Sequence, residues 1–173
     1  MKIPATVITF ALATALLPPC SLGAAGSYAP AAGVAGSTAV AKDDSAFVAW
    51  ATKVVSYNPG TNVEDIWKDT SLCLGEPGED VYDITCLGRA GTITLSFDRP
   101  IADGEGWDFA VFENGFGKGF LELAYVEVSS DGVNFVRFPC HSETTSPVGA
   151  YASNMDPTKI DGLASKYKQG YGT

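Results

Sequence analysis

The chain is short of positive charge, nearly devoid of histidine, and without any apolar run long enough to cross a bilayer. Its 173 residues hold 11 Lys plus Arg against 20 Asp plus Glu, a net charge of −9, and one histidine. A phosphate-binding surface needs clustered cations, and the few lysines and arginines here are scattered, which argues against a nucleic-acid partner. An anionic membrane surface is disfavoured for the same reason. With His141 alone, a Ser-His-Asp or Cys-His site would have to use that residue as its base. Its neighbour Cys140 points to the opposite side of an extended chain, so a nucleophilic site is not expected. Neither a C-x-x-C nor an H-x-x-x-H spacing occurs, which leaves no zinc pattern. Charged residues make up only 18%, but apolar residues reach 46%, so a packed core is expected rather than disorder. The length suits one domain and not two.

What is present begins with an address. Met1-Lys2 is a minimal positive start, and Val7 to Leu17 (VITFALATALL) is an apolar run well short of the ~20 residues a span requires. Small residues follow, with Ala24 or Ala25 as cleavage points. Residues 1–25 therefore read as a secretory signal peptide. Pro18-Pro19 argue against a buried first helix. Pro19 also stands where a lipobox would carry a small residue before Cys20. Residues 26–41 are Ala/Gly-rich and uncharged, a flexible leader. The domain is expected over 42–173, in an exported protein that is extracellular, at the cell surface or periplasmic, with no membrane span. In such compartments disulfides persist. Cys73 and Cys86, separated by the turn residues Gly75, Pro77 and Gly78, form the expected bridge, with two free thiols as the alternative.

Within the domain the period of apolar residues changes. Asp43-Asp44-Ser45 offers caps, and Phe47, Trp50, Ala51 and Val54 recur at helical spacing, predicting one short helix over 45–54. Asn58-Pro59-Gly60 ends it. Residues 61–80 read as loop with an Ile66-Trp67 anchor. Thr92 to Phe97 alternates as a half-buried strand, with Ile93, Leu95 and Phe97 inward. Asp108 to Phe112 is apolar on both faces, as in a central strand. Leu121 to Ser129 is a long strand, Ser130-Asp131-Gly132 a turn, and Asn134 to Phe138 the returning strand. Gly149 to Thr173 is loop-like, with a short helix near Leu163 to Tyr167. The pattern predicts an all-β, antiparallel β-sandwich of jelly-roll type. Only four or five strands are visible where about eight are needed, so the sandwich is expected to be incomplete at its C-terminus.

Several stretches occur in a characteristic order: Val55-Ser56-Tyr57-Asn58-Pro59-Gly60, Gly91 to Asp98, Asp108-Phe109-Ala110-Val111-Phe112-Glu113-Asn114-Gly115-Phe116, Val126 to Phe135, and Asp156 to Ala164. The sequence resembles bacterial exported "cell surface protein" domains, often found in proteins with PEP-CTERM sorting tails, over about residues 54–173. The Ser-Ser-Asp-Gly-Val-Asn-Phe hairpin resembles that of discoidin and galactose-binding-like sandwiches. This likeness implies a jelly roll with carbohydrate or surface binding, by analogy of fold. The sorting tail itself is absent, and family members usually continue into further strands.

Candidate chemistry is sparse. Gly115-Phe116-Gly117-Lys118-Gly119 lacks the phosphate-loop spacing, and no Ser or Thr follows its lysine. Glu113 and Glu127 are the carboxylates a glycosidase could use, but no cleft is visible in the sequence. Asp103, Glu105 and Asp108 lie in one Gly-rich loop, with Glu113 and Asn114 beyond the next strand. These five supply the oxygens that Ca²⁺ prefers, and a solvated acidic turn is the alternative. Strand alternation puts Asp108 and Glu113 on opposite faces, so a shared ion needs a loop that folds back. Asp156 and Asp161 form a looser acidic loop. Trp107, Tyr151 and Trp67 are the aromatics available for stacking on sugar, with Trp107 and Tyr151 the expected ligand contacts. The expected function is a noncatalytic exported cell-surface module that binds glycan or extracellular matrix and is stabilised by Ca²⁺. The alternative is an extracellular glycan-processing enzyme or its accessory domain.

Overall fold

The computed structural model of the chain describes residues 7–12, 28–116, 119–145, 147–148 and 155–173. The described strands are β1 (Val7–Leu12), β2 (Val40–Ala41), β3 (Lys53–Asn58), β4 (Thr92–Ser96), β5 (Ala124–Ser129), β6 (Val136–Arg137), β7 (His141–Ser142), β8 (Ile160–Asp161) and β9 (Tyr171–Gly172). They form a five-stranded sheet in the order β3-β4-β1-β5-β6 and two small sheets, β2-β9 and β7-β8. Every pairing between them is antiparallel. Among the described residues, helical structure is confined to 3₁₀ turns at Asp65–Trp67, Thr70–Cys73 and Pro157–Lys159. The antiparallel β class expected from the sequence is present.

Strand β4 sits where alternation put it. Ile93 and Leu95 are buried, but so is Thr94, which the alternation assigns to solvent. β4 is an inner strand, between β3 and β1, and Thr94 is registered with Ser56 of β3. The hairpin from β5 to β6 is also where expected, and Asp131 organises it. Its Oδ1 accepts from the amides of Val133 at 2.8 Å and Asn134 at 2.7 Å, and its Oδ2 from Asn134 Nδ2 at 2.7 Å. These bonds hold its carboxyl well below the usual carboxylate range, the Asn134 amide contributing most. Across the pair, Arg137 Nη2 lies 2.8 Å from Glu127 Oε1.

Four expectations are corrected. The helix over 45–54 does not form. Asp44 caps a single turn, accepting from Ala46 N at 2.8 Å, after which Val54, Val55 and Tyr57 join strand β3. β-Branched and aromatic side chains suit a pleated surface, and β4 pairs with Val54, Ser56 and Tyr57, with Val55 at a bulge between them. Phe47 and Trp50 then stack at 5.0 Å and meet Phe112 at 5.5 and 5.6 Å. Residues 108–112 are not a central strand: Val111 exchanges two 3.0 Å backbone hydrogen bonds with Thr173, and no ladder extends from them. The C-terminal segment holds two short strands and no helix at 163–167, because Ser165 takes a left-handed conformation (φ 66°) that interrupts helical continuity. Cys73 and Cys86 are free thiols rather than a bridge. Cys73 ends a 3₁₀ turn that aims its Sγ at Thr70 O, 3.0 Å away, and burial pushes both thiols up.

The N-terminal segments also engage the fold. Val7–Leu12, the apolar part of the expected leader, is the middle strand of the largest sheet. Tyr28 N donates to Thr158 O at 2.8 Å, Thr38 Oγ1 lies 2.8 Å from Tyr167 Oη, and Val40 is buried. Residues 28–41 thus lie along the domain, held by the C-terminal segment. Among the described residues, the buried apolar side chains include two packed clusters. Ala124, Val126 and Ala164 gather Phe97, Ile101, Phe109, Val111 and Val128 around them. Leu121, Tyr125, Ile160 and Leu163 gather Leu123, Cys140 and Met155.

The paired turns before β4 depend on bare backbone. Gly60 N donates to Leu87 O at 2.8 Å, and Gly91 N to Gly88 O at 3.3 Å. A Cβ at Gly91 would overlap the Leu87 carbonyl, and one at Gly60 the Arg89 carbonyl. Because the obstacle is backbone, it cannot rotate away. Gly91→Ala is expected to cost about 1–3 kcal/mol, the range of core overpacking, and to lower Tm by several degrees in a chain of this size. Differential scanning calorimetry checks this, and an unchanged Tm counts against the close approach.

Candidate functional site

The segment Asp156–Tyr167 brings the polar chemistry together. Asp156 accepts from Thr158 N at 3.0 Å, Pro157–Lys159 makes one 3₁₀ turn, and β8 pairs with β7. Gly162, at φ 66°, passes so close to Pro139 O that no side chain fits there. Leu163, Ala164, Ser165, Lys166 and Tyr167 are all buried beyond it. Ser165 Oγ donates to Glu113 Oε2, which also accepts from Gly115 N at 2.8 Å. The same hydroxyl oxygen accepts from Glu122 N at 3.1 Å. Asn114, also buried, donates from Nδ2 to Val81 O at 2.8 Å.

Burial is the main cause that lifts the Glu113 carboxyl to about 7. The Ser165 hydroxyl opposes the rise, the Glu122 carboxylate adds to it, and the amides of Gly115 and Asn114 oppose it. Glu122 is itself pushed up by burial. Glu113 is therefore a carboxyl poised to hold or release a proton near neutrality. Next to Ser165, Lys166 is buried, with Asp161 Oδ1 at 3.7 Å and the rings of Tyr28 and Tyr167 at 5.9 and 5.7 Å. Burial lowers its ammonium and Asp161 counteracts that. His141 is not an open-loop residue: it lies in β7 opposite Asp161, stacked 6.3 Å from Tyr28.

A cleft of about 260 Å³ adjoins the Glu113 side of this segment. Val81, Gly115, Phe116, Lys168, Gln169 and Tyr171 line it. Gln169 N donates to Gly115 O at 2.9 Å, and Gln169 Nε2 to Glu79 O at 3.1 Å. Glu79 is in turn tied to Lys42 Nζ at 2.6 Å. Lys168 Nζ stands 5.5 Å from the centre of the Tyr171 ring. Two aromatic rings, an amide and an ammonium thus share one concave surface, a combination that can stack on a sugar ring and reach its hydroxyl groups.

The residues singled out from the sequence are parted. Asp103, Glu105 and Asp108 are exposed on their glycine loop, where Asp108 Oδ1 accepts from Gly104 N at 2.9 Å. Glu113 and Asn114 are held inside by Ser165, Gly115 and Val81. Among the described residues no three Asp, Glu, His or Cys side chains gather as a metal site. The five proposed calcium ligands do not fit one ion in this arrangement. Trp107 is 61% exposed at the tip of the acidic loop. Trp67 lies 5.9 Å from Tyr82. Tyr151 is outside the described residues. Glu127 is paired with Arg137 across the hairpin.

Sequence reasoning assigned no site role to Ser165, Lys168, Gln169 or Tyr171, and it read Phe116 as the end of a family-like stretch and as part of a rejected phosphate loop. The one available signal was the density of tyrosine, lysine and glycine in Lys166 to Gly172. No family model, curated protein or solved structure matches the chain.

The burial of Glu113 has a pH signature. Unfolded, it ionises near 4.5, and folded near 7, so between those values the folded state holds the extra proton. Its contribution to stability is full below pH 4.5 and is lost as pH rises to 7, by about 3 kcal/mol in order of magnitude. Glu113→Gln is expected to flatten this decline and to raise Tm above pH 7 relative to the parent chain. Thermal melts of both proteins from pH 4.5 to 8 check it, and parallel Tm curves would refute it.

Proposed function

We propose that this chain is a noncatalytic exported module of the cell surface that binds glycan or glycosylated matrix, and that the cleft beside Glu113 receives a sugar unit. The observation that carries this reading is the convergence of Phe116, Tyr171, Gln169 and Lys168 on one concavity. Aromatic faces take the apolar face of a pyranose, while an amide and an ammonium take its hydroxyls. The exposed indole of Trp107 offers a separate stacking surface. The apolar stretch from Val7, followed by small residues, supports export. The resemblance to exported cell-surface domains and to galactose-binding-like hairpins supports a jelly-roll relationship and a surface role.

A second reading is favoured by one observation. A carboxyl titrating near 7 is suited to general-acid work, so Glu113 would be the acid of a glycan-processing enzyme. The two readings differ in turnover. A glycan array with the purified protein, with and without chelator, is expected to give chelator-insensitive binding and no release of reducing ends. Tyr171→Ala should weaken binding at least tenfold, about 1.4 kcal/mol. Release of reducing ends that Glu113→Gln abolishes would establish the enzyme instead. An array without any binder would reject the module.

A further inference from the structure

The large sheet is completed by the segment that the export reading removes. β1 runs antiparallel to β4 over Val7–Ala11 and antiparallel to β5 over Val7–Leu12. Its two neighbours therefore run parallel to each other. No hairpin can join such strands directly, and between them lies the width of one strand. Without β1 the sheet falls into two antiparallel pairs, β3-β4 and β5-β6, and a two-stranded ribbon is marginal in water. Each would present an open row of backbone donors and acceptors.

The register defines what the seat accepts. Positions 8, 10 and 12 are registered with Leu95 and Val128, with Ile93 and Val126, and with Ala124. Positions 7, 9 and 11 are registered with Ser96 and Ser129, with Thr94 and Glu127, and with Thr92 and Tyr125. One row is apolar throughout. The other is mainly hydroxyl-bearing, and its one carboxylate, Glu127, is already paired with Arg137.

We propose that the channel between β4 and β5 is a strand-acceptor site. The leader fills it in the full chain, and after the leader is removed it takes an extended segment of another polypeptide. This step rests on the export reading given above. The donor is about six residues long, uncharged, apolar at alternate positions with small or hydroxyl residues between, and antiparallel to both flanking strands. Main-chain hydrogen bonds supply affinity, and the alternating positions supply selectivity. A second copy is a poor donor, because its own strands of this length, β3 and β5, are built into its own sheet.

The test uses the full chain. Thr9→Pro and Ala11→Pro together remove two ladder amides from β1 and vacate the seat from within. A fluorescein-labelled peptide with the sequence of residues 6–13 is titrated against this variant and against the unmodified chain, and read by anisotropy. Saturable one-to-one binding to the variant is expected, at least tenfold tighter than to the unmodified chain, with a rise in the variant's Tm of at least 5 °C. The same peptide carrying the two prolines should not bind. If the variant does not fold, refolding it from urea with the peptide is expected to restore a cooperative melt. Equal binding to both chains, binding of the proline peptide, a dimer that excludes the peptide, or failure of the peptide to bind or to rescue folding would each overturn the proposal. Export is judged separately by the N-terminal sequence of secreted protein. An intact Met1 defeats leader removal without touching the peptide result, and a mature start near residue 25 with no peptide binding defeats only the acceptor site.

Discussion

The fold turns on one constraint of direction: β4 and β5 are parallel to each other, and only an antiparallel strand between them makes a continuous sheet. Everything that positions the candidate site hangs from those two strands. β4 carries the Gly60–Gly91 turns on its incoming side. β5 carries the bridge from Ala124 to Ala164, through which the C-terminal segment enters the core. The apolar cluster of Ala124, Val126 and Ala164 forms only when that segment lies against β5. A sheet with one missing rung would leave both attachments on separate ribbons.

The C-terminal segment then acts as a strap. Ser165 reaches Glu113, Lys166 lies by Tyr28, and Tyr167 meets Thr38, so consecutive residues engage two distant stretches. Such a strap holds few regular backbone ladders and relies on side-chain hydrogen bonds. That explains how residues 28–41, though rich in Ala and Gly, are held in place: their partners are supplied from the far end of the chain. Burying the Glu113 carboxyl against this strap and the Lys166 ammonium within it is costly. Glu113 meets the cost by hydrogen bonds and a raised proton affinity, Lys166 by an ion pair and two aromatic faces.

The cleft follows from that packing. Gly115 accepts from Gln169, which places the tail residues 168–171 opposite Phe116. Gly115 makes the close approach possible: a Cβ there would stand 3.0 Å from Phe120 O and 3.2 Å from Tyr167 O. The site is thus made from loops and carried by strands, as is common for binding surfaces.

Local pattern determined the antiparallel β class, the strand at Thr92–Ser96, the Asp131 hairpin and the exposed, acidic character of the Trp107 loop. Each of these depends on residues close in sequence: alternation, a turn residue, a glycine pair. The helix over 45–54 failed because Lys53, Val54, Ser56 and Tyr57 find a ladder on β4 that no local count includes. The Cys73–Cys86 bridge failed because spacing says nothing of where a 3₁₀ turn aims a thiol. The acidic five are split between surface and interior because Glu113 finds Ser165, 52 residues away in sequence. Tertiary contacts also decided the raised proton affinity of Glu113, the membership of the cleft and the seat of Val7–Leu12. All three rest on burial and on pairing between distant segments, quantities that exist only once the chain is closed on itself.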